Sequence, residues 1–262
     1  DEGVTYRTLD LYATEDPEAA LEQLCDDRTR VVAVSSVQYA RGLRLDLERL
    51  SASCRRLGIL LFVDAIQSLG AMPFDLNRIP ADAVVADGHK WMLGPEGIAL
   101  LYVAPGLRPR LRLHQFGWHM IAHPGDYDRT DWTPSPTATR FECGSPNLLG
   151  IHALEASLSL LQEAGMEPVA AAIEQRVGRL MDLMDQAGFE VLTPRDPTRR
   201  AGILTFRVPG ADHPALWRGL LIRGVVCALR GGGIRFSPHF YTDEAALDGA
   251  VAITKNTLLH LP

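Results

Sequence analysis

The sequence holds no apolar run approaching the roughly 18 residues that a bilayer crossing needs, which disfavours a membrane-spanning role. Cysteine is scarce: Cys25, Cys54, Cys143 and Cys227 are widely spaced, and no Cys-x-x-Cys pair offers the spacing of a zinc site or a redox dithiol. Reduced thiols in a cytoplasmic protein are the default for such a pattern. Positive charge is in deficit, with 26 Lys and Arg against 32 Asp and Glu, a net charge of −6 and a pI of about 5.8. That balance argues against a general nucleic-acid binder, which needs a basic face to release counterions from phosphates. The arginines that cluster at Arg108, Arg110 and Arg112 read as a solvated loop. There is no internal repeat, no low-complexity tract, and no apolar segment behind a basic start that would mark a targeting peptide. The first residue is Asp1 and not Met, which suggests a natural N-terminus elsewhere.

What is present is an ordinary globular composition: 262 residues, 47% hydrophobic and 22% charged, enough for a sizeable core in one large or two smaller domains. Val31 to Val37 is a short β-branched run of the kind buried on both faces of a parallel sheet. From Asp46 to Leu57 the spacing of Leu47, Leu50, Cys54 and Leu57 draws one apolar stripe on a helix that Gly58 stops. Strands are expected at Ile59 to Val63, Ala83 to Ala86 and Ile98 to Val103, so the order implies an α/β sheet that is largely parallel at first. From Leu107 to Ser145 prolines, glycines and aromatics break the pattern, which suggests a domain boundary. Beyond it, Leu148 to Ala164 and Glu167 to Ala187 read as helices, the first apolar enough to be largely buried. Strand candidates at Phe189 to Leu192, Ile203 to Val208, Val225 to Ala228 and Ile234 to Ser237, with helices near Pro214 to Arg223 and Asp243 to Leu259, make a smaller α+β unit. The expected domains are residues 1–145 and 146–262.

Ligand sites in open α/β sheets lie at the carboxyl ends of strands. Gln38 and Tyr39 follow the first strand, Asp64 to Gln67 the second, and Asp87 to Lys90 the third. A carboxylate and a lysine at neighbouring strand ends can face one ligand from two directions, or simply form a salt bridge. The stretches Val63-Asp64-Ala65-Ile66-Gln67-Ser68 and Asp87-Gly88-His89-Lys90-Trp91-Met92-Leu93-Gly94-Pro95-Glu96-Gly97 closely resemble the signature of the class V pyridoxal-phosphate-dependent enzymes. That family holds aminotransferases, cysteine desulfurases, kynureninase and isopenicillin N epimerase-like proteins, and the resemblance runs over essentially the whole chain.

The resemblance implies roles. Lys90 would form the internal Schiff base with the cofactor and then move protons at the substrate Cα. Asp64 would keep the pyridine nitrogen protonated so that the ring accepts electrons. Gln67 would donate to the ring's phenolic oxygen and His89 would help hold the phosphate or the ring; a polar turn and a satisfied histidine are the plainer alternatives. Arg140 to Asn147 resembles the family segment ending in Gly-Thr-Pro-Asn, which implies that Ser145 reaches the phosphate bound by a second subunit, and hence a homodimer. Ser145 is equally well placed to cap the following helix. Gly233 to Tyr241 resembles the R-x-S-x-H-x-Y segment, so that Arg235 would clamp the α-carboxylate of a small amino acid, unless it pairs with a structural acid. Gly231-Gly232-Gly233 is not a dinucleotide fingerprint, because it leads into a strand.

The chain departs from the family pattern in places. Asp87 stands where many members have a phosphate-binding Ser, and an acid there repels phosphate unless it is turned away or paired. Tyr39 stands where desulfurases have Asn, and Gln38 could take over near the cofactor oxygen. Cys227 lies in an apolar run with little room for the loop that carries a desulfurase's reactive Cys, and it reads as a core thiol. The family's initial phosphate-cradling turn and ring-stacking residue are not found, so the chain resembles the later part of a longer enzyme. The expectation is a fold type I cofactor domain, incomplete at its start, with a smaller α+β domain. Its expected function is pyridoxal-phosphate chemistry at the Cα of a small amino acid, aminotransferase-type, with an epimerase or lyase as alternative. A non-catalytic dimerising or binding module is the rival from another class.

Overall fold

The computed structural model describes residues 3–260. Strands β1 (Val31–Ser35), β2 (Leu60–Asp64) and β3 (Ala83–Asp87) run parallel and in that order, and β4 (Ala99–Val103) closes the sheet antiparallel to β3. The expectation of a sheet largely parallel at first holds. Helix α1 (Pro17–Leu24), capped by Asp16, packs beside α2 (Leu47–Leu57), which Asp46 caps and Gly58 ends. The apolar stripe of α2, with Leu47, Leu50 and Cys54 buried, lies over Val32, Leu61, Val63, Val84 and Ala86. Alternation along each strand places these five side chains on one face.

The other face corrects the reading that the first strand is buried on both sides. Val31, Val85 and Leu101 are exposed there, because Leu107, Leu111 and Phe141 cover that face only near Ala83, Leu60 and Phe62. Helix α3 (Leu148–Ala164) needs a second correction, since Leu148, Leu149, Ile151 and Leu160 are exposed and only Gly150, Leu154 and Leu161 are buried. Its apolar residues surround the helix, but its neighbours in the described chain contact one side.

Helix α4 (Met166–Gln186) packs on a second, wholly antiparallel sheet of order β5 (Glu190–Val191), β6 (Leu204–Arg207), β8 (Gly233–Phe236), β7 (Ala228–Arg230). Helices α5 (His213–Ile222) and α6 (Glu244–Leu258) complete this unit. Strand β7 begins three residues later than expected: Val225 is buried but Val226 is exposed, and the chain pairs with β8 only from Ala228. Ile203, Leu204, Phe206, Ile234 and Phe236 fill the second core with α4 and α5 residues. Leu154 of α3 belongs to the first core and Leu161 to the second, so α3 spans both. Between β4 and α3 the chain is irregular, with short 3-10 turns at Arg108–Arg110, Trp118–Met120 and Ala138–Phe141.

Candidate active site

Parallel pairing sets Ser35, Asp64 and Val85 side by side near the carboxyl ends of β1, β2 and β3. Both Asp64 oxygens are held: Oδ2 accepts from the Ser35 hydroxyl at 3.3 Å and Oδ1 from the Ile66 amide at 2.9 Å. Ser35 was not singled out in the sequence, where only its place at the end of a strand marks it. Past β3 the chain turns through Gly88, His89 and Lys90. Hydrogen bonds from the Leu93 amide to the Lys90 carbonyl (3.1 Å) and from the Gly94 amide to the Gly88 carbonyl (2.8 Å) close this turn. It places Leu93 at φ 60°, a left-handed conformation uncommon outside glycine that costs about 1–3 kcal/mol and persists where the surroundings over-determine it. Lys90 is half-buried and its amine has no hydrogen bond or ion pair among the described residues. The plain Asp64–Lys90 salt bridge is therefore not formed. Asp87 and His89 are exposed, and Asp87 has no cationic partner among the described residues.

Trp91, which follows Lys90, ties the site together. Its indole Nε1 donates to Oε1 of buried Gln67 at 2.9 Å, leaving the Gln67 amide NH2 as the free donor end. Its backbone carbonyl accepts from Nε2 of buried His239 at 3.0 Å, and the two rings lie 5.2 Å apart. His239 Nδ1 in turn accepts from the Phe240 amide at 2.8 Å, which fixes the neutral tautomer with its proton on Nε2. The indole sits against Gly202, where any Cβ would come within 2.1 Å of the ring, and Gly70 at φ +88° lets the Trp91 carbonyl approach. Both Trp91 and His239 lie inside the recognised motifs, but no spacing rule joins residues 148 positions apart.

Burial lowers the His239 pKa from 6.5, outweighing the Trp91 carbonyl, which favours the protonated ring. The folded protein then binds fewer protons than the unfolded chain as pH falls below about 6.5, so stability is lost in that direction. We expect the wild-type unfolding midpoint to fall between pH 7 and pH 5 by more than that of His239→Gln, as thermal melts at both pH values will test.

The turn after β1 meets the second sheet. The Thr205 hydroxyl donates to the Ala40 carbonyl at 2.7 Å, Arg41 Nε to the Gly231 carbonyl at 2.9 Å, and Arg235 Nη1 to the Tyr39 carbonyl at 2.7 Å. Arg235 forms no ion pair among the described residues, which removes the structural-acid alternative, and its Nε is buried without a partner. Burial, and the neighbouring charge of Arg230, lower its pKa. Gln38 is engaged locally, its Oε1 accepting from the Ala40 amide at 2.8 Å.

Ser145 does not cap α3. Asn147 does, accepting from the Gly150 amide at 3.0 Å while its Nδ2 donates to the Gly97 carbonyl at 3.2 Å. Proline at 146 and the turn into the helix leave Ser145 two residues too early. Ser145 is exposed and lines an 880 Å³ groove between β4 and α3 that none of Asp64, Gln67, Lys90 or Arg235 reaches. Cys227 is half-buried against the second core, and burial pushes its thiol up to about 11.

Residues 2–245 match the family model described as Aminotransferase class-V. The chain belongs to the class V aminotransferase family. Among curated relatives, isopenicillin N epimerase of Streptomyces clavuligerus is 33% identical over 84% of this chain and 58% of its own length. The uncharacterized aminotransferase YcbU of Bacillus subtilis is 29% identical over 86% and 59%, and a cysteine desulfurase of Yersinia pestis 31% over 88% and 56%. The chain thus spans less than two thirds of the length of these relatives. In three dimensions, a C-DES variant with glycine covalently linked to its PLP cofactor superposes with a TM-score of 0.83 at 27% identity, covering 91% of this chain and 63% of that one. The apo cysteine desulfurase of Thermococcus onnurineus gives 0.83 at 23%, covering 93% and 63%. The fold is that of the fold type I pyridoxal-phosphate enzymes, and the cofactor that the sequence motifs imply is the one in the C-DES neighbour.

Proposed function

We propose that this class V chain carries the lysine, ring-carboxylate and substrate-arginine portions of an enzyme acting at the Cα of a small amino acid, with aminotransferase-type chemistry. The observation that carries this reading is the pair of adjacent parallel strands ending in Asp64, with both oxygens held, and in the turn of Lys90, whose amine has no partner. A fixed carboxylate and an unengaged amine are the two groups that the pyridine nitrogen and the aldehyde require, and the orphaned Arg235 Nε suits a carboxylate.

Pyridoxal phosphate, when bound, supplies an aldehyde for covalent attachment and a ring that accepts electrons. Lys90 Nζ would provide the attachment point and, as a free amine, would take the proton from Cα. Asp64 keeps a proton on the ring nitrogen, and Gln67, steadied by Trp91, turns its NH2 to the phenolic oxygen. Gln38 offers its own NH2 nearby, since its Oε1 is engaged in the turn. His89 and Ser145 serve the phosphate, Ser145 from a partner subunit of a homodimer, for which its exposure and the uncovered apolar residues of β4 and α3 speak. Arg235 holds the α-carboxylate. The raised pKa of Cys227 speaks against a desulfurase-type thiolate. The four free cysteines suit a cytoplasmic setting.

The chain has two lysines, Lys90 and exposed Lys255, which makes the test direct. Pyridoxal phosphate is added, the visible absorbance recorded, the adduct reduced with borohydride, and the modified peptide mapped. Modification at Lys90, and loss of the visible band in Lys90→Ala, are expected. No band, or modification confined to Lys255, overturns the reading in favour of a non-catalytic module. Incubation with amino acids in deuterated water then separates the chemistries: exchange at Cα without keto-acid product rejects transamination in favour of epimerisation.

A further inference from the structure

The second sheet has a polar face that the aminotransferase-type reading uses only in part. In the β7–β8 register Ala228 stands opposite Arg235, and Arg230, two residues further along β7, shares the face of Ala228. Arg230 and Arg235 are therefore a diagonal cross-strand pair on one face, a spacing within reach of long side chains. The hairpin between the strands turns on Gly231 and Gly232, both at positive φ (62° and 86°), and a Cβ on Gly231 would meet the Ala40 carbonyl at 2.7 Å. This close approach docks the hairpin on the turn after β1. Both guanidinium groups gather at Tyr39: Arg235 Nη1 donates to its carbonyl at 2.7 Å, and Arg230 Cζ lies 5.8 Å from its ring centroid.

Neither arginine has an acidic partner among the described residues. Only half of the other arginines have an acidic partner among the described residues, among them Arg207–Glu190 on this same sheet; what sets Arg230 and Arg235 apart is that two lie side by side on one face without one. The neighbouring cation Arg41 is engaged by the Gly231 carbonyl and the Tyr12 ring. Two adjacent like charges left without an acid, in a chain of net charge −6, are a recognition surface for a doubly anionic ligand.

Resting on the reading of Arg235 as the α-carboxylate clamp, we propose that Arg230 determines specificity by binding a second, distal carboxylate, so that the substrate class is the dicarboxylic amino acids. Arg235 fixes the end of the substrate that reacts, while Arg230, exposed at the rim, selects what the far end carries. A neutral amino acid satisfies the first guanidinium and leaves the second facing water.

Glutamate and glutamine have nearly the same shape and differ in the distal charge, so the pair isolates this contact. Binding is read as the ligand-dependent rise in the unfolding midpoint of the purified protein at constant ionic strength, which needs no turnover. Wild type is expected to bind glutamate about tenfold more tightly than glutamine, within the range of a charge-assisted hydrogen bond. Arg230→Gln is expected to abolish that preference and keep the glutamine response, whereas Arg235→Gln weakens both ligands. Equal responses to the two ligands in wild type, or a glutamate preference that survives Arg230→Gln, overturn the proposal and leave the Arg235 clamp standing. No response to either ligand overturns the clamp and the proposal together. Circular dichroism of Arg230→Gln checks that the exposed substitution leaves the fold intact.

Discussion

Trp91→Ala is expected to destabilise the protein by about 3–5 kcal/mol, the cost of emptying a large buried aromatic site. Trp91 is 5% exposed and packs in the second core although its backbone belongs to the Lys90 turn, so the substitution removes a joint between the two halves of the molecule. Glycine at 202 leaves no side chain there to fill the void, and Leu93, at φ 60° in the same turn, packs against the core to which Trp91 belongs. The indole's hydrogen bond to Gln67 is a separate contribution. Trp91→Phe keeps most of the ring volume and deletes that bond, so a smaller loss of about 1–3 kcal/mol is expected from leaving the buried Gln67 oxygen unpaired. Urea or thermal melts of both variants measure this. A Trp91→Ala protein within 1 kcal/mol of wild type, about a tenth of an ordinary domain's stability, would sink the view of Trp91 as the joint.

Arg199→Ala is expected to cost about 3 kcal/mol, at the low end of the range for breaking a buried ion pair, because Arg199 is partly solvated. Glu18 lies in α1 with its side chain 3% exposed, while Arg199 lies between β5 and β6 with its side chain 25% exposed. The guanidinium engages both carboxylate oxygens, at 2.9 and 3.1 Å, and Oε1 also accepts from the Asp46 amide at 2.7 Å. The pair thus links the start of the chain, the N-terminus of α2 and the second unit. Removing the arginine strands a carboxylate in a site built for a partner, which costs more than the pair contributes. The double replacement Glu18→Met with Arg199→Met leaves no stranded charge and is expected to recover most of the loss. A double-mutant cycle checks this: additive losses would mean that the two residues do not act as a unit.

Much of the local structure was legible in the sequence. The α2 stripe, the three parallel strands and the stop at Gly58 follow from spacing alone, since a period of 3.6 or 2 and a closing glycine are properties of neighbouring residues. Burial was less legible. An apolar run such as Val31–Ser35 reads as buried on both faces, yet Val31 is exposed, because which faces are covered depends on elements distant in the chain. The same holds for α3, whose composition signalled a core helix while its neighbours contact one side. Ser145 and Asn147 both carry capping chemistry, and only the backbone path decides that Asn147 does the capping.

The sequence by itself determined the family, through Asp64 to Gln67, the Lys90 segment and the Arg235 segment, because covalent chemistry at a cofactor demands particular side chains at particular strand ends. It also determined that a lysine and a carboxylate would close successive strands. Only the tertiary structure decided that the two do not pair with each other, that Ser35 holds the carboxylate, and that Trp91 links Gln67 to His239. It alone set Arg230 and Arg235 on one face over Tyr39 without an acid between them. The physical reason is one of range: periodicity and capping act over a few residues, whereas desolvation, pairing and charge balance act between side chains that only the folded chain brings together.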